Sequence, residues 1–269
     1  MIAEQREAAA RGAKDADSGE SEARRSVLGR AFELLDCFDG LEPDQSIASL
    51  CRQTGLPPAT VHRLLASLVE WGAVERSSRG HYRLGMRLWR LGWGVPEARV
   101  VRDVARPFMV DLYAMTREIV VLGSREGDSL LLVDQIAGQS AEVAWRSARR
   151  VPLGALAPGL VYLAQLPLDD LRRKLADSVL GLPAELADNE YRLLQTLAEI
   201  RATGVAVSRG RSRGWISAPV LDADGSVRST LSMVVPEQRL NVTGHGRLVG
   251  QAARAVSRSL AARRALDQP

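Results

Sequence analysis

The segment PPATVHRLLASLVEWG, residues 57–72, most constrains how this chain can fold. At about 100° per residue, a helix over this segment separates apolar side chains from small or hydrogen-bonding ones. The apolar arc holds Val61, Leu64, Leu65 and Leu68, and the opposite arc holds Ala59, Thr60, His62, Arg63, Ala66 and Ser67. Pro58 is tolerated in the first turn, and Gly72 supplies the stop. The pattern predicts a helix that packs through one face and leaves the other free to contact a partner.

The flanking residues predict what kind of helix this is. Upstream, Ser46 is a candidate N-cap for a helix that ends in the tight turn Thr54-Gly55. Downstream, residues 73–76 and 81–84 have the pattern of two short strands around Ser77-Ser78-Arg79-Gly80. A preceding helix is expected to start near Ser26 and to turn Val27, Ala31, Leu34, Leu35 and Phe38 toward the same core. This order is typical of a winged helix-turn-helix.

Positive charge collects on the predicted helix and hairpin, although the net charge of the whole chain is only +4. Residues 60–95 carry six arginines, Arg63, Arg76, Arg79, Arg83, Arg87 and Arg90, against the two glutamates Glu70 and Glu75. A helix about 10–12 Å across fits the major groove, where Arg63 could bridge guanine O6 and N7 while hairpin arginines neutralise phosphates. The predicted DNA-binding residues are Ser46, Thr60, His62, Arg63, Ser67, Arg76, Arg79 and His81. A solvated basic face is the alternative interpretation.

Three stretches of this region resemble the DNA-binding half of the IclR family of bacterial transcriptional regulators. They are RSVLGRAFELLDCF, SIASLCRQTGLPPATVHRLLASLVEWGAVER and YRLGMRLWRLG. The sequence departs from the family at Pro58 and Ala59, where relatives carry polar residues, so specificity should depend on Thr60, His62, Arg63 and Ser67. The resemblance implies that residues 24–85 form the DNA-binding domain. It also implies that residues 86–96 form a linker helix that pairs two subunits, with Trp93 suited to that contact.

Composition limits the remaining possibilities. Residues 1–23 are small and charged, with six acidic side chains, so we expect a disordered tail rather than a basic arm in the minor groove. The chain has no apolar run of the roughly 18 residues that a membrane span needs, and no signal peptide is evident, which predicts a cytoplasmic protein without membrane contact. Cys37 and Cys51 lack a metal-ligand spacing and are expected to be small core residues. We predict neither a metal nor a cofactor.

Residues 97–266 predict a second, α+β domain with helices flanking an antiparallel sheet. A helix that Pro107 kinks or breaks leads to a hairpin around Glu126-Gly127-Asp128, and a second hairpin turns at residues 222–225. The other expected elements are a strand near 142–146, a short helix after Pro158-Gly159, helices over 169–177 and 190–201, a strand over 205–208 and a last helix over 246–264.

This order resembles the effector-binding, GAF-like half of the same family. The stretch LGALAPGLVYLA, residues 153–164, stands where relatives line their pocket, with Gly154 in place of a histidine and Leu160 in place of a lysine. The resemblance implies a pocket for a small organic effector lined by Gly154, Leu156, Ala157, Gly159, Ser208, Trp215, Ser217, Ser232 and Val234. These replacements predict a larger and more hydrophobic ligand than a small keto acid. A constitutive regulator with a non-functional pocket is the alternative.

Arg209, Arg211 and Arg213 are a separate feature of the second domain, because residues spaced two apart on an extended strand share a face. They could hold an acidic ligand, but a solvated loop is the simpler interpretation in a chain this rich in arginine.

An enzyme built on the second domain is the competing class of function. Only three histidines are present, His62 and His81 in the DNA half and His245 near the start of the last helix, where capping explains it. The sequence contains no GxSxG, HExxH or phosphate loop, and we predict no catalytic residue. One recognition helix reads too few base pairs for specificity, so a homodimer or homotetramer on an inverted-repeat operator is expected.

Overall fold

The computed structural model of the protein describes residues 26–38, 43–77, 80–92, 94–138, 150–176 and 180–267. The chain divides into two units, Met1–Gly94 and Val95–Pro269. The predicted tail over 1–23 and the predicted strand near 142–146 lie outside the described residues.

Three short helices of the first unit begin and end where the sequence signals place them. They are α1 (Val27–Asp36), α2 (Ile47–Thr54) and α3 (Pro58–Trp71). Ser26 Oγ accepts a hydrogen bond from Gly29 N at 2.9 Å, and Ser46 Oγ accepts one from Ser49 N at 3.1 Å. Gly55 and Gly72 end their helices with φ values of 69° and 79°, a conformation that glycine adopts without a steric penalty.

The hairpin after α3 pairs β1 (Val74–Arg76) with β2 (Tyr82–Leu84), each one residue shorter than predicted. Gln45 adds a bridge to Tyr82 that the sequence did not indicate, with both backbone N–H···O distances at 2.8 Å. The core of this unit consists of Leu34, Phe38, Leu50, Val61, Leu64, Leu65, Val74 and Tyr82, with Cys37 and Cys51 partly buried against it. The hairpin is therefore attached to the helices through both its backbone and its apolar side chains.

Two expectations for the first unit are wrong. Val27 does not face the core, because its side chain is 59% exposed at the first position of α1. Residues 86–96 do not form one linker helix: α4 spans Met86–Gly92 and a new helix, α5, spans Pro96–Thr116. Gly92, Gly94 and Pro96 are poor residues for a helix interior, and these local preferences end α4 before Trp93, which lies outside the described residues. Pro107 lies inside α5, which continues through it.

The second unit is built on a six-stranded antiparallel sheet with the strand order β5-β4-β3-β8-β7-β6. The strands are β3 (Ile119–Glu126), β4 (Ser129–Ile136), β5 (Arg150–Pro152), β6 (Ala206–Arg209), β7 (Arg213–Leu221) and β8 (Val227–Pro236). The helices after α5 are α6 (Ala157–Leu163), α7 (Leu168–Ala176), α8 (Ala184–Ala187), α9 (Glu190–Thr203) and α10 (Val242–Asp267). Strand β6 lies at one end of the sheet.

Each face of this sheet is buried under its own layer of helices. Residues of α6, α7 and α9 pack on one face around Val121, Trp215 and Val234. Residues of α5 and α10 pack on the other face around Val120 and Ile216. Successive side chains of a strand point to opposite faces, so neighbouring residues such as Trp215 and Ile216 belong to different cores.

Two helix starts differ from the predicted ones. Helix α6 begins at Ala157, so Pro158 and Gly159 lie within its first turn rather than before it. Helix α10 begins at Val242 instead of Gly246, because Asn241 Oδ1 accepts from Gly244 N at 2.9 Å. In return, Asn241 N donates to His245 Nδ1 at 3.2 Å. The histidine therefore has the capping role that the sequence predicted.

Gly159 provides a test of the packing of α6. A Cβ at this position would lie 1.5 Å from the carbonyl oxygen of Leu153, a backbone atom that cannot move without displacing the chain. We expect Gly159→Ala to lower the free energy of unfolding by about 2 kcal/mol or more, measured by urea denaturation. Gly246→Ala is the control, since its Cβ would meet Ile216 Cδ1 at 3.4 Å, an ordinary contact. Equal unfolding midpoints for Gly159→Ala and the parent protein would contradict this account.

Candidate DNA-reading surface and ligand cavity

Helix α3 presents the predicted reading face to solvent. Val61, Leu64 and Leu65 on its inner side are at most 5% exposed, whereas His62, Arg63 and Ser67 are exposed and Thr60 is half-buried. The side chains of His62 and Arg63 make no hydrogen bond or ion pair to any residue that the structure describes. Ser67 Oγ donates to Arg63 O at 3.4 Å within the helix. The side-chain donors of His62 and Arg63 are therefore available to a groove of DNA.

The remaining predicted DNA contacts lie on α2 and on the hairpin. Ser46 serves as the N-cap of α2, so its oxygen already accepts one hydrogen bond. The Arg76 guanidinium is 5.9 Å from the centroid of the Tyr82 ring, and His81 O accepts from Ser77 N at 2.8 Å. Arg79 lies outside the described residues. Arg83 pairs with Glu75 at 3.3 Å, which neutralises part of the basic charge that the sequence indicated.

Arg87 ties α4 to the end of the predicted recognition helix. Its guanidinium stacks 4.2 Å from the Trp71 ring centroid, and its Nη1 donates to Trp71 O at 2.8 Å. Gly85 crosses Gly72 so closely that a Cβ on Gly85 would lie 2.3 Å from Gly72 O. The start of α4 is thus fixed to the last turn of α3. From the sequence, Arg87 is only one of six basic residues, because its partner Trp71 is sixteen positions away.

The second unit contains a cavity of about 690 Å³ beside β6. Five of the predicted effector-binding residues line it, namely Gly154, Leu156, Ser208, Trp215 and Val234. Leu160 also lines it, at the position where the resemblance had implied a replaced lysine. The size is within the range of small-molecule sites, and the Trp215 and leucine side chains supply apolar walls.

Four of the predicted effector-binding residues do not line this cavity, and each has a role in packing instead. Ala157 is buried at the start of α6, and its N–H donates to Ser208 Oγ at 2.9 Å. Gly159 allows the close passage of Leu153 described above. Ser217 and Ser232 are fully buried opposite each other on β7 and β8, where their hydroxyl oxygens are 2.8 Å apart. The resemblance identified the right region. The two serines, however, are hydrogen-bonded to each other and do not face the cavity.

Four arginines line the cavity, although a solvated loop was the simpler interpretation of three of them from the sequence. Arg209 ends β6 and Arg213 begins β7, so the tight hairpin closed by Gly210 N and Arg213 O at 3.0 Å brings them together with Arg211. They do not share the face of one strand, as their spacing suggested, yet all three line the cavity instead of forming only a solvated loop. Arg192 joins them from α9, and no signal in the sequence connected it with the others.

Two of these arginines have carboxylate partners and two do not. Arg192 lies 3.5 Å from Glu185, and Arg209 pairs with Glu237. Arg211 and Arg213 make no side-chain hydrogen bond or ion pair within the part of the chain that the structure describes. Since arginine stays protonated at every physiological pH, the cavity carries uncompensated positive charge. An anionic group fits this environment better than a neutral one.

Two largely buried titratable groups of this unit have shifted pKa values, Asp222 in the turn between β7 and β8 and Tyr162 on α6, and neither lines the cavity. Burial raises the pKa of Asp222, but hydrogen bonds from Arg228 and Ala223 N and the charge of Arg264 outweigh it and hold the pKa below its ordinary value. Burial raises the pKa of the Tyr162 hydroxyl, which accepts from Arg125 N at 3.2 Å and donates to Arg228 O at 3.3 Å. Both groups are structural. Among the described residues, no cluster of His, Cys, Asp and Glu could hold a metal ion.

Comparison with known proteins gives the same organisation. Residues 27–78 match the family described as "IclR helix-turn-helix domain", and residues 96–261 match the one described as "Bacterial transcriptional regulator IclR C-terminal". This chain belongs to the IclR family of bacterial transcriptional regulators. The IclR membership confirms the predicted fold class, a winged helix-turn-helix followed by an α+β domain, and makes the chain a DNA-binding transcriptional regulator.

Individual IclR relatives extend over most of the chain. The HTH-type transcriptional regulator XynR of Escherichia coli (strain K12) is 30% identical over 241 residues, which cover 86% of this chain and 95% of XynR. KipR of Bacillus subtilis (strain 168), also an HTH-type transcriptional regulator, is 27% identical and covers 80% of this chain and 88% of its own. These relatives are named as regulators, as expected for a non-enzymatic function. No described helix is long and apolar enough to cross a membrane.

A solved structure with a bound ligand is also similar. The crystal structure of an IclR homolog from Microbacterium hydrocarbonoxydans, complexed with 4-hydroxybenzoate, has a TM-score of 0.75 and 28% identity to this chain. The match covers 87% of this chain and 99% of that one.

Replacing Arg87 tests the connection between α4 and α3. Arg87→Ala removes both the stacking on Trp71 and the hydrogen bond to its carbonyl, which together should stabilise the last turn of α3 by about 1–2 kcal/mol. We expect amide hydrogen exchange at residues 69–73 to rise about 5- to 30-fold. Arg90→Ala, on the exposed side of the same helix, is the matched control. Unchanged exchange in the Arg87 variant would show that the contact does not hold the helix end.

Proposed function

We propose that this IclR-family regulator binds an inverted-repeat operator as a homodimer in the cytoplasm and is controlled by an organic anion bound in the arginine-lined cavity. The DNA half supplies Thr60, His62, Arg63 and Ser67 for contacts with the bases. It supplies Arg76, Arg79 and His81 for contacts with the phosphate backbone of the DNA. The observation that carries effector control is the pair Arg211 and Arg213, two cations that line the cavity and have no carboxylate partner in the described structure.

Exposed apolar side chains support dimer formation through the DNA half. Val27, Leu28 and Phe32 on α1 and Met86, Trp89 and Leu91 on α4 are each more than half exposed. Large apolar side chains at such density mark protein interfaces. Since a two-fold dimer presents two recognition helices to two half-sites, this contact would give the regulator enough base pairs for a specific operator.

The chemistry of the cavity narrows the class of effector. Trp215, Leu156 and Val234 suit an aromatic or branched apolar body, and the arginines suit a carboxylate. The 4-hydroxybenzoate in the Microbacterium homolog has this combination, so an aromatic carboxylate is the effector class that we propose here. An aromatic carboxylate is larger and more hydrophobic than a small keto acid, as the sequence predicts, whereas a ligand without an anionic group would leave the arginines unpaired. The volume of the cavity argues against a constitutive regulator with a collapsed pocket.

The decisive experiment for the DNA half is selection of bound sequences from randomised duplex DNA. We expect an enriched inverted repeat. Arg63→Ala should then weaken binding to that repeat by about 1–3 kcal/mol and relax the preference at one position of each half-site. Arg79→Ala should weaken all sequences alike and reduce the salt dependence.

Arg263→Ala, in the last helix of the effector half, is the control for the loss of one positive charge. The opposite pattern, with Arg79 setting the preference, would show that the base-reading and phosphate-binding surfaces have been exchanged.

Arg213→Gln tests the effector cavity. We expect the parent protein to bind 4-hydroxybenzoate in calorimetry and the variant to bind it at least tenfold more weakly, because a charged hydrogen bond to the carboxylate is lost. The neutral analogue 4-hydroxybenzamide should bind both proteins weakly. Arg173→Gln, an exposed substitution on α7, is the control. If no aromatic carboxylate binds, or if binding leaves operator affinity unchanged, effector control through this cavity is wrong and the constitutive alternative stands.

A further inference from the structure

Two further cavities lie along α10, on the other side of β6 from the arginine-lined effector cavity. The larger, of about 580 Å³, lies between α9, the edge strand β6 and the start of α10. The smaller, of about 380 Å³, lies between the end of β7 and the middle of α10. Arg254 lines both. From Arg247 to Arg258 the two cavities follow α10 for about 16 Å, at 1.5 Å per residue. We call them together the α10 groove.

The floor of the α10 groove is apolar. Ile200, Val205 and Val207 line its larger part, and Ala218 and Leu221 line its smaller part. Glycine in α10 keeps the groove open, since Gly246 and Gly250 lie on the side of the helix that faces it. An unbranched hydrocarbon chain could lie along this apolar floor.

The rim of the groove is basic. Arg247, Arg254 and Arg258 are spaced seven and four residues apart, which puts them on one face of the helix. None of them makes a hydrogen bond or ion pair to any residue that the structure describes. Arg264 of the same helix, in contrast, pairs with Asp222 at the β7–β8 turn. The only carboxylate among the described lining residues is that of Glu199, so the rim keeps a net positive charge.

Strand β6 separates the α10 groove from the effector cavity. Val207 and Thr196 line both, so the two spaces share one wall. Gly210 and Arg213 form a hydrogen-bonded pair, and because such pairs alternate in an antiparallel ladder, Val207 and Arg209 turn their own backbone groups away from β7. These two residues alone offer too few backbone hydrogen-bonding groups to pair with an added peptide strand. The groove is therefore suited to a small molecule.

We propose that the α10 groove is a second ligand site, specific for an elongated organic anion such as an alkyl carboxylate. The carboxylate binds the guanidinium of Arg254, which both cavities share, and the hydrocarbon chain lies along Ile200, Val205 and Val207. Removal of this chain from water drives binding, at roughly 0.8 kcal/mol per buried methylene, and the arginine selects an anionic head over a neutral one.

Calorimetric titration of the full-length protein with octanoate tests this site, with 1-octanol as the neutral probe of equal length. We expect octanoate to bind at one equivalent per chain and 1-octanol to bind at least tenfold more weakly. Arg254→Gln should reduce octanoate affinity at least tenfold. Thr243→Trp, which places an indole in the larger cavity from an exposed position, should also block it.

Two control variants separate this site from the rest of the protein. Arg263→Gln changes an exposed arginine of α10 outside the groove and should leave octanoate binding unchanged. Arg213→Gln weakens the effector cavity and should also leave it unchanged. The proposal fails if no octanoate binds, or if Arg213→Gln abolishes binding while Arg254→Gln does not, since the probe would then occupy the effector cavity. Thermal melting of each variant confirms that it is folded.

Discussion

Burial of both faces of the six-stranded sheet is the constraint on which the second unit depends. Helices α6, α7 and α9 cover one face and α5 and α10 cover the other, so the interior of each layer is filled with apolar side chains. Two of the cavities lie beside strand β6, at one end of the sheet. Residues of this strand line both the effector cavity and the larger part of the α10 groove.

The same constraint explains why polar groups near the cavity divide into two kinds. Ser217 and Ser232 lie in the middle of the sheet, where water has no access, and each must find its hydrogen bond in the other. Ser208 lies on the edge strand, where it satisfies the first N–H of α6 and still lines the cavity. Serines on one face of the sheet can therefore differ in role. A serine far from the edge strand contributes to packing, whereas one on the edge strand can also line the cavity.

The DNA half was predictable from the sequence because its signals are local. Ser26, Ser46, Gly55 and Gly72 each act within four residues of their own position, and the apolar spacing of α3 needs no knowledge of the rest of the chain. Of its two errors, Val27 is an end effect at the first position of α1, and the linker helix came from the family resemblance. Gly92 and Gly94 indicated an end to α4, but the expected linker helix was extended to residue 96.

The effector cavity was predictable only in part, because its walls come together through distant pairings. Ser208 meets Ala157 from 51 positions away, and Arg192 approaches from α9, a helix whose apolar residues Leu193, Leu197 and Ile200 indicate a core-facing side but no contact with the arginine hairpin. The resemblance to a family supplied the correct segment of chain. It could not supply the register that pairs Ser217 with Ser232, nor the hairpin that brings Arg209 and Arg213 to one cavity.

The positions of the carboxylates distinguish arginines that are paired within the chain from arginines that are not. Asp134 pairs with Arg102 and Arg106, Asp222 pairs with Arg228 and Arg264, and the buried Glu118 pairs with Arg239. These acidic groups are largely removed from solvent, so each one strengthens its pairs by excluding water. The arginines of the effector cavity and the α10 groove include five without such a partner among the described residues: Arg211, Arg213, Arg247, Arg254 and Arg258. Because a guanidinium cannot lose its charge, these positions retain a positive potential at every physiological pH, and an anion from outside the chain is the group that can neutralise it.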